Sequence, residues 1–139
     1  MSLSIRNQLP GTVTSVTPGE VMATVKVRLD AGGEITAAVT LEAVQELGLA
    51  SGSTVRALVK STEVSLATGP VDGLSIRNQL PGTVTGVTTG GAMASVKVQV
   101  AGGELTSAIT RDAVTDLGLA AGSEVVALIK STEVSLSNA

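Results

Sequence analysis

A chain of 139 residues with a formal net charge of −3 and no cysteine, histidine or aromatic residue excludes several function classes at once. It has no disulfide staple, neither of the usual nitrogen and sulfur ligands of zinc or copper, none of the commonest general base, and no ring platform on which nucleic-acid bases stack. With 43% hydrophobic and 15% charged residues it should nonetheless fold, around a core of Val, Leu, Ile, Ala and Met.

Two copies of one pattern fill the chain. Leu3–Leu29 aligns with Leu74–Val100, and Ala31–Leu66 aligns with Ala101–Leu136 once Asp30 is treated as an insertion; 45 of the 63 paired positions are identical. In the first copy the runs Gly11–Val16, Ala23–Leu29 and Glu34–Val39 are β-branched, partly alternating and separated by Gly-containing turns, which predicts three strands. Thr40–Gly48 then predicts a short helix, with Thr40 as N-cap, Glu42 in the first turn and Gly48 at the left-handed C-terminal position; Thr110–Gly118 repeats it. Thr54–Lys60 and Glu63–Leu66 supply two further strands. Five strands with a helix between the third and fourth match a small OB-like barrel. The expected fold is therefore mainly β: two tandem OB-like five-stranded barrels, each with one short helix. The segment Ala67–Gly73 lacks periodicity and is rich in Gly, Pro and Asp, so the division is residues 1–67 as first domain, 68–73 as linker and 74–139 as second domain. Modules of this size bury little core of their own, and with disulfides absent, oligomerisation is the remaining source of stability.

The 18 differences between the copies avoid two blocks, Leu3–Thr14 with Leu74–Thr85 and Lys60–Leu66 with Lys130–Leu136. Packing accounts for their apolar members. The polar clusters Ser4–Asn7 and Lys60–Thr62 read either as solvated surface or as a donor-rich binding site. Four of the nine cationic side chains, Arg6, Lys60, Arg77 and Lys130, lie in these blocks. A deprotonated tetrahedral oxyanion only accepts hydrogen bonds, so its site needs guanidinium, ammonium, hydroxyl and N–H donors with no facing carboxylate. Ser4, Arg6, Asn7, Lys60 and Ser61 provide that set. The helix start, with Thr40, is open to two readings: an added oxyanion contact, or plain capping, which the neighbouring Glu42 and Asp112 favour. No nucleophile has an identifiable base and no glycine pattern matches a phosphate loop, so no catalytic residue is assigned and the chain is not read as an enzyme. Glu42 and Glu46 read as a solvated helix face.

Ser4-Ile-Arg-Asn-Gln8, Ala38-Val-Thr40, Leu47-Gly-Leu49 and Lys60-Ser61, in that order and in both copies, resemble the molbindin (Mop) domain of the TOBE family. The resemblance implies molybdate or tungstate as ligand, held where domains meet, and assembly into a six-domain ring, hence a homotrimer of a tandem chain. Carried onto this sequence, it implies Ser4, Arg6 and Asn7 of one domain meeting Thr40, Lys60 and Ser61 of a neighbour, with Ser75, Arg77, Asn78, Thr110, Lys130 and Ser131 as equivalents. Ala43 and Ala113 stand where some relatives have serine, which removes one hydroxyl. No cofactor is implied, and no metal except as the oxyanion.

The function expected is cytoplasmic molybdate or tungstate storage and homeostasis, with no nucleic-acid or membrane partner. The alternative is an oxyanion-sensing or oligomeric interaction module of a transport or regulatory system. The cytoplasmic expectation rests on an N-terminus with no cationic start followed by an apolar stretch.

Overall fold

The computed structural model describes residues 2–139; Met1, the first residue of the expected first domain, lies outside them. Ten strands and two helices run along the chain: β1 (Asn7–Pro18), β2 (Met22–Leu29), β3 (Glu34–Thr40), α1 (Leu41–Leu47), β4 (Thr54–Val59), β5 (Ser65–Ala67), then β6 (Asn78–Thr89), β7 (Met93–Val100), β8 (Gly103–Thr110), α2 (Arg111–Leu117), β9 (Glu124–Ile129) and β10 (Ser135–Asn138). The mainly β class, the five-stranded sheets and the one helix per copy are as expected.

Period-2 patterning drives the strands. In β2 every second residue, Ala23, Val25, Val27 and Leu29, is buried while Met22, Thr24, Lys26 and Arg28 face out. The long first strand of each copy curls through a register shift, between Val13 and Ser15 in β1 and between Val84 and Gly86 in β6. Strand closeness beside the curl depends on glycine: a Cβ on Gly11 would sit 2.6 Å from the Arg28 carbonyl oxygen, and one on Gly82 2.5 Å from that of Gln99. The helices are capped as their sequence predicts. Thr40 Oγ1 accepts from the Ala43 N–H at 3.1 Å, and Gly48 closes the helix at φ 63°.

The last strand of each copy departs from expectation. The two sheets have the orders β10-β4-β1-β2-β3 and β5-β9-β6-β7-β8, so each copy completes the other's sheet. The expected strand Glu63–Leu66 divides into a 3-10 turn, Ser61–Glu63, and β5, which leaves its own copy and pairs with β9 in the register Ser65↔Leu128. β10 returns the exchange on β4, with Ser135↔Leu58. The expected barrels are thus curled sheets that share strands, and one buried cluster runs through both, from Leu9 and Val13 to Ile129 and Val134. Each fourth strand would otherwise present an unpaired edge.

Buried polar groups fasten the same junction. Asn7 Nδ2 donates to the Thr106 carbonyl at 2.9 Å while its Oδ1 accepts from the Thr106 N–H at 2.8 Å. Asn78 does the same with Thr36, at 2.8 Å for both bonds. The Ser107 hydroxyl donates to the Val64 carbonyl at 2.6 Å and fixes the entry of β5; Ala37 stands at the equivalent place in the first copy.

Candidate functional site

Antiparallel pairing of β1 with β4 sets Asn7 opposite Val59. The residues just before Asn7 and just after Val59 must therefore emerge side by side at one end of the sheet. They enclose a basin of about 250 Å³ lined by Ser4, Ile5, Arg6, Lys60, Ser61 and Thr62. β6 and β9 repeat the geometry, with Asn78 opposite Ile129, and Ser75, Ile76, Arg77, Lys130, Ser131 and Thr132 line a basin of about 230 Å³.

The chemistry of both basins is that of donors. Arg6 is anchored by its own segment: Nε donates to the Ser4 carbonyl at 3.1 Å and Nη2 to that of Leu3 at 3.0 Å. Arg77 makes the matching bonds to Ser75 at 3.1 Å and Leu74 at 2.8 Å. A guanidinium held this way keeps donors over for a ligand without paying further entropy to find its orientation. Lys60 and Lys130 add an exposed ammonium each. Ser61 Oγ and Ser131 Oγ are buried atoms without a hydrogen-bond partner among the described residues. An orphaned buried hydroxyl is costly unless something occupies it, and here it lies on the wall of a cationic basin. No carboxylate lines either basin.

Eight of the twelve expected site residues are therefore brought together, in two sets of four: Ser4, Arg6, Lys60 and Ser61, and Ser75, Arg77, Lys130 and Ser131. Each set comes from a single copy, whereas the resemblance implied two domains, because β1 and β4 are direct neighbours in one sheet. Asn7 and Asn78 line neither basin. They are 2% and 4% exposed, and both ends of their amides are taken by the other copy's backbone.

Thr40 lies apart, in a separate concavity with Glu20, Val21, Leu41, Glu42 and Gln45. Its hydroxyl caps Ala43, and the first helical N–H, that of Leu41, already donates to the Val21 carbonyl at 2.8 Å. Thr110 and Arg111 behave alike, the hydroxyl bound by Ala113 N–H and the Arg111 N–H donating to Ala92. Within one chain the helix start is a cap, and in the first copy Glu42 of the helix and Glu20 of the turn before β2 line the same concavity as Thr40. Ile5 with Thr62, and Ile76 with Thr132, are basin residues that were not among the twelve expected ones, although Thr62 closes one of the two polar clusters; all four lie inside the blocks that are identical between copies. Among the described residues no group of three or more His, Cys, Asp or Glu is arranged to hold a metal ion, and no helix is long and apolar enough to cross a membrane.

Comparison with known proteins adds four findings. The model of the TOBE domain matches twice, over residues 3–66 and 74–136. The chain is 41% identical over 137 residues to the molybdenum transport protein ModE of Azotobacter vinelandii, covering 98% of this chain and 51% of that protein. It is 41% identical over 135 residues to the molybdenum-pterin-binding protein MopB of Rhodobacter capsulatus, covering 96% and 50%. The chain thus spans about half the length of the curated relatives it matches. Among solved structures, the cytoplasmic molybdate-binding protein ModG, in a form with molybdate bound, superposes with a TM-score of 0.96 at 41% identity, covering 100% of both chains.

Proposed function

The chain belongs to the TOBE-domain family, and from that membership we propose that it binds molybdate, or the isosteric tungstate, as a cytoplasmic store and buffer. One observation carries the reading. Each copy gathers an arginine, a lysine and two serines around a basin without carboxylates, and one serine hydroxyl in each is buried with no partner. A tetrahedral dianion is an acceptor at every oxygen and supplies what these groups lack. The full-length likeness to ModG favours molybdate among such anions. Binding needs no covalent step, so the chain acts as a carrier of the anion and not as a catalyst.

In this reading the chains form a homotrimer. The concavity around Thr40 and the exposed Val21 and Met22 beside it form the face offered to a neighbour, and Thr40 and Thr110 contribute to an anion only across that contact. Tungstate shares the size and acceptor pattern of molybdate and should compete for the same basins.

Native mass spectrometry during titration with molybdate, with sulfate in excess, tests the proposal. The expected result is a trimer that takes up at least two anions per chain despite the sulfate. An assembly that ignores molybdate overturns it. The likeness to the molybdenum transport protein ModE favours a second reading, an oxyanion-sensing module of a transport or regulatory system, which would use the same basins. Retention of a transport or regulatory protein by the molybdate-loaded chain, but not by the empty one, would select it.

A further inference from the structure

The two copies keep the same donor basin but not the same helix start. Every residue lining one basin has an identical counterpart in the other. Around the helix, by contrast, the first copy has Glu20, Val21 and Leu41 where the second has Gly91, Ala92 and Arg111. The backbone there is the same in both. The Leu41 N–H donates to the Val21 carbonyl at 2.8 Å and the Arg111 N–H to that of Ala92 at 2.9 Å, and the threonines before them cap Ala43 and Ala113. With these peptide groups taken, what the two faces offer a neighbour differs by their side chains.

The charge differences have one sign. The first face carries the carboxylates of Glu20 and Glu42 and no cation; the second carries Arg111 and Asp112, with glycine in place of the other acid. Leu41 is half-buried and packed against the core, but Arg111 is exposed, and its guanidinium has no hydrogen-bond or ion-pair partner among the described residues. A cation in the first turn opposes the helix dipole, so the helix itself does not explain it. An empty basin, with its arginine and lysine, repels Arg111; a dianion cancels that repulsion and accepts from the guanidinium at its outer oxygens. Glu20 and Glu42 behave oppositely: an empty basin suits them, and they repel the anion.

We propose that Arg111 is a further anion-binding residue, which the second copy contributes to a donor basin of a neighbouring chain, and that the two helix faces thereby complete two unequal classes of oxyanion site. This rests on the oxyanion reading and the chain contact described above. Sites completed by the Arg111 face fill first and release last. Sites completed by the Glu20 and Glu42 face fill later and release first. The assembly then holds a retained fraction and an exchanging fraction of anion in equal numbers.

Calorimetric titration of molybdate into the intact chain, Arg111→Leu and Glu20→Gly provides the test, with native mass spectrometry to count chains and anions. Both substitutions fall at exposed positions whose counterpart in the other copy already carries the new residue. The wild-type chain should show two classes of equal number, roughly four- to twentyfold apart, since two partly exposed charges separate them and each contributes about two- to fivefold. Arg111→Leu should weaken the tighter class by about two- to fivefold and leave the other in place, whereas Glu20→Gly should tighten the weaker class by a similar factor; both effects should shrink with salt. A single class in the wild type, or an Arg111→Leu chain that keeps both classes unchanged or weakens both alike, overturns the inference. So does an Arg111→Leu chain whose assembly is lost in the absence of anion, because Arg111 would then hold the chains and not the ligand. If the wild-type chain binds no molybdate, it is the oxyanion reading itself that fails.

Discussion

Replacing Asn78 by alanine tests whether the buried asparagines clamp the two copies together or serve the anion. Asn78 exchanges two hydrogen bonds of 2.8 Å with the Thr36 backbone and is 4% exposed. Each such bond contributes about 0.5–1.5 kcal/mol net, and truncation also strands the Thr36 donor and acceptor, at about 1–3 kcal/mol for a group that water cannot reach. Thr36 is half-buried, so water recovers part of that loss. The expected destabilisation is about 2–4 kcal/mol, a fall in Tm of roughly 6–15 °C for a chain of this size. With no aromatic residue to report by fluorescence, far-UV circular dichroism in a urea series is the suitable assay. The midpoint should drop at unchanged slope, and Asn7→Ala should behave alike through Thr106. A loss below about 0.5 kcal/mol would refute the clamp. Molybdate affinity reduced by more than about tenfold in the folded variant, equivalent to 1.4 kcal/mol, would return Asn78 to the site.

Four further outcomes follow from the same geometry. Lys60→Ala with Lys130→Ala should weaken molybdate binding at least about tenfold, as charge-assisted bonds are lost, whereas Lys26→Ala with Lys97→Ala, on the outer face of β2 and β7, should leave calorimetric affinity within about twofold. Ser107→Ala removes the 2.6 Å bond to the Val64 carbonyl and should cost about 1–2 kcal/mol in urea unfolding, with anion binding intact. Gly11→Ala should cost about 1–3 kcal/mol or more by the same assay, because its Cβ would meet backbone at 2.6 Å and Val27 Cγ1 at 2.7 Å. A first copy produced alone lacks the strand that completes its sheet, and sedimentation should find it dimeric or aggregated; a stable monomer would contradict the exchange.

Much of this was legible in the sequence because the signals are local. Thr40 and Gly48 are set by capping chemistry within a few residues, and the alternation of Ala23, Val25, Val27 and Leu29 selects the buried face of β2 without reference to any partner. The pairing of Arg6 with Lys60 was approachable because both lie in blocks identical between the copies. What remained hidden depends on which of two equivalent partners a segment chooses. Ser65–Ala67 and Ser135–Asn138 carry the same Ser-Leu pattern, so each fits either fourth strand equally well, and repeat identity erases the information that would distinguish them. The surroundings of Asn7 were hidden for a related reason. A polar residue beside a basic one reads as part of a donor site, and its burial against the Thr106 backbone, which takes one bond from each end of the amide, is visible only in the fold.

Strand exchange also answers the difficulty raised by composition. A module of this size without rings, disulfides or metal gains little from its own core. Here the crossing of β5 and β10 merges two thin cores into one cluster, and Val64 and Val134, 1% and 2% exposed, sit at the points of crossing. The crossing segments begin at Lys60 and Lys130, which share the basins with Arg6 and Arg77, and run through Ser61 and Ser131, whose hydroxyls have no partner among the described residues. The turns that carry the chain from one sheet to the other are therefore turns that line the two donor basins. An anion held by Lys60 and Ser61 fastens the start of β5 and should raise the free energy needed to separate the copies, by RT ln(1 + [L]/Kd) for each occupied basin. Stabilisation by molybdate should consequently appear in the cooperative unfolding of the whole chain, not in one half of it, and two resolved transitions in the presence of the anion would show that the sheets are coupled less tightly than their shared strands require.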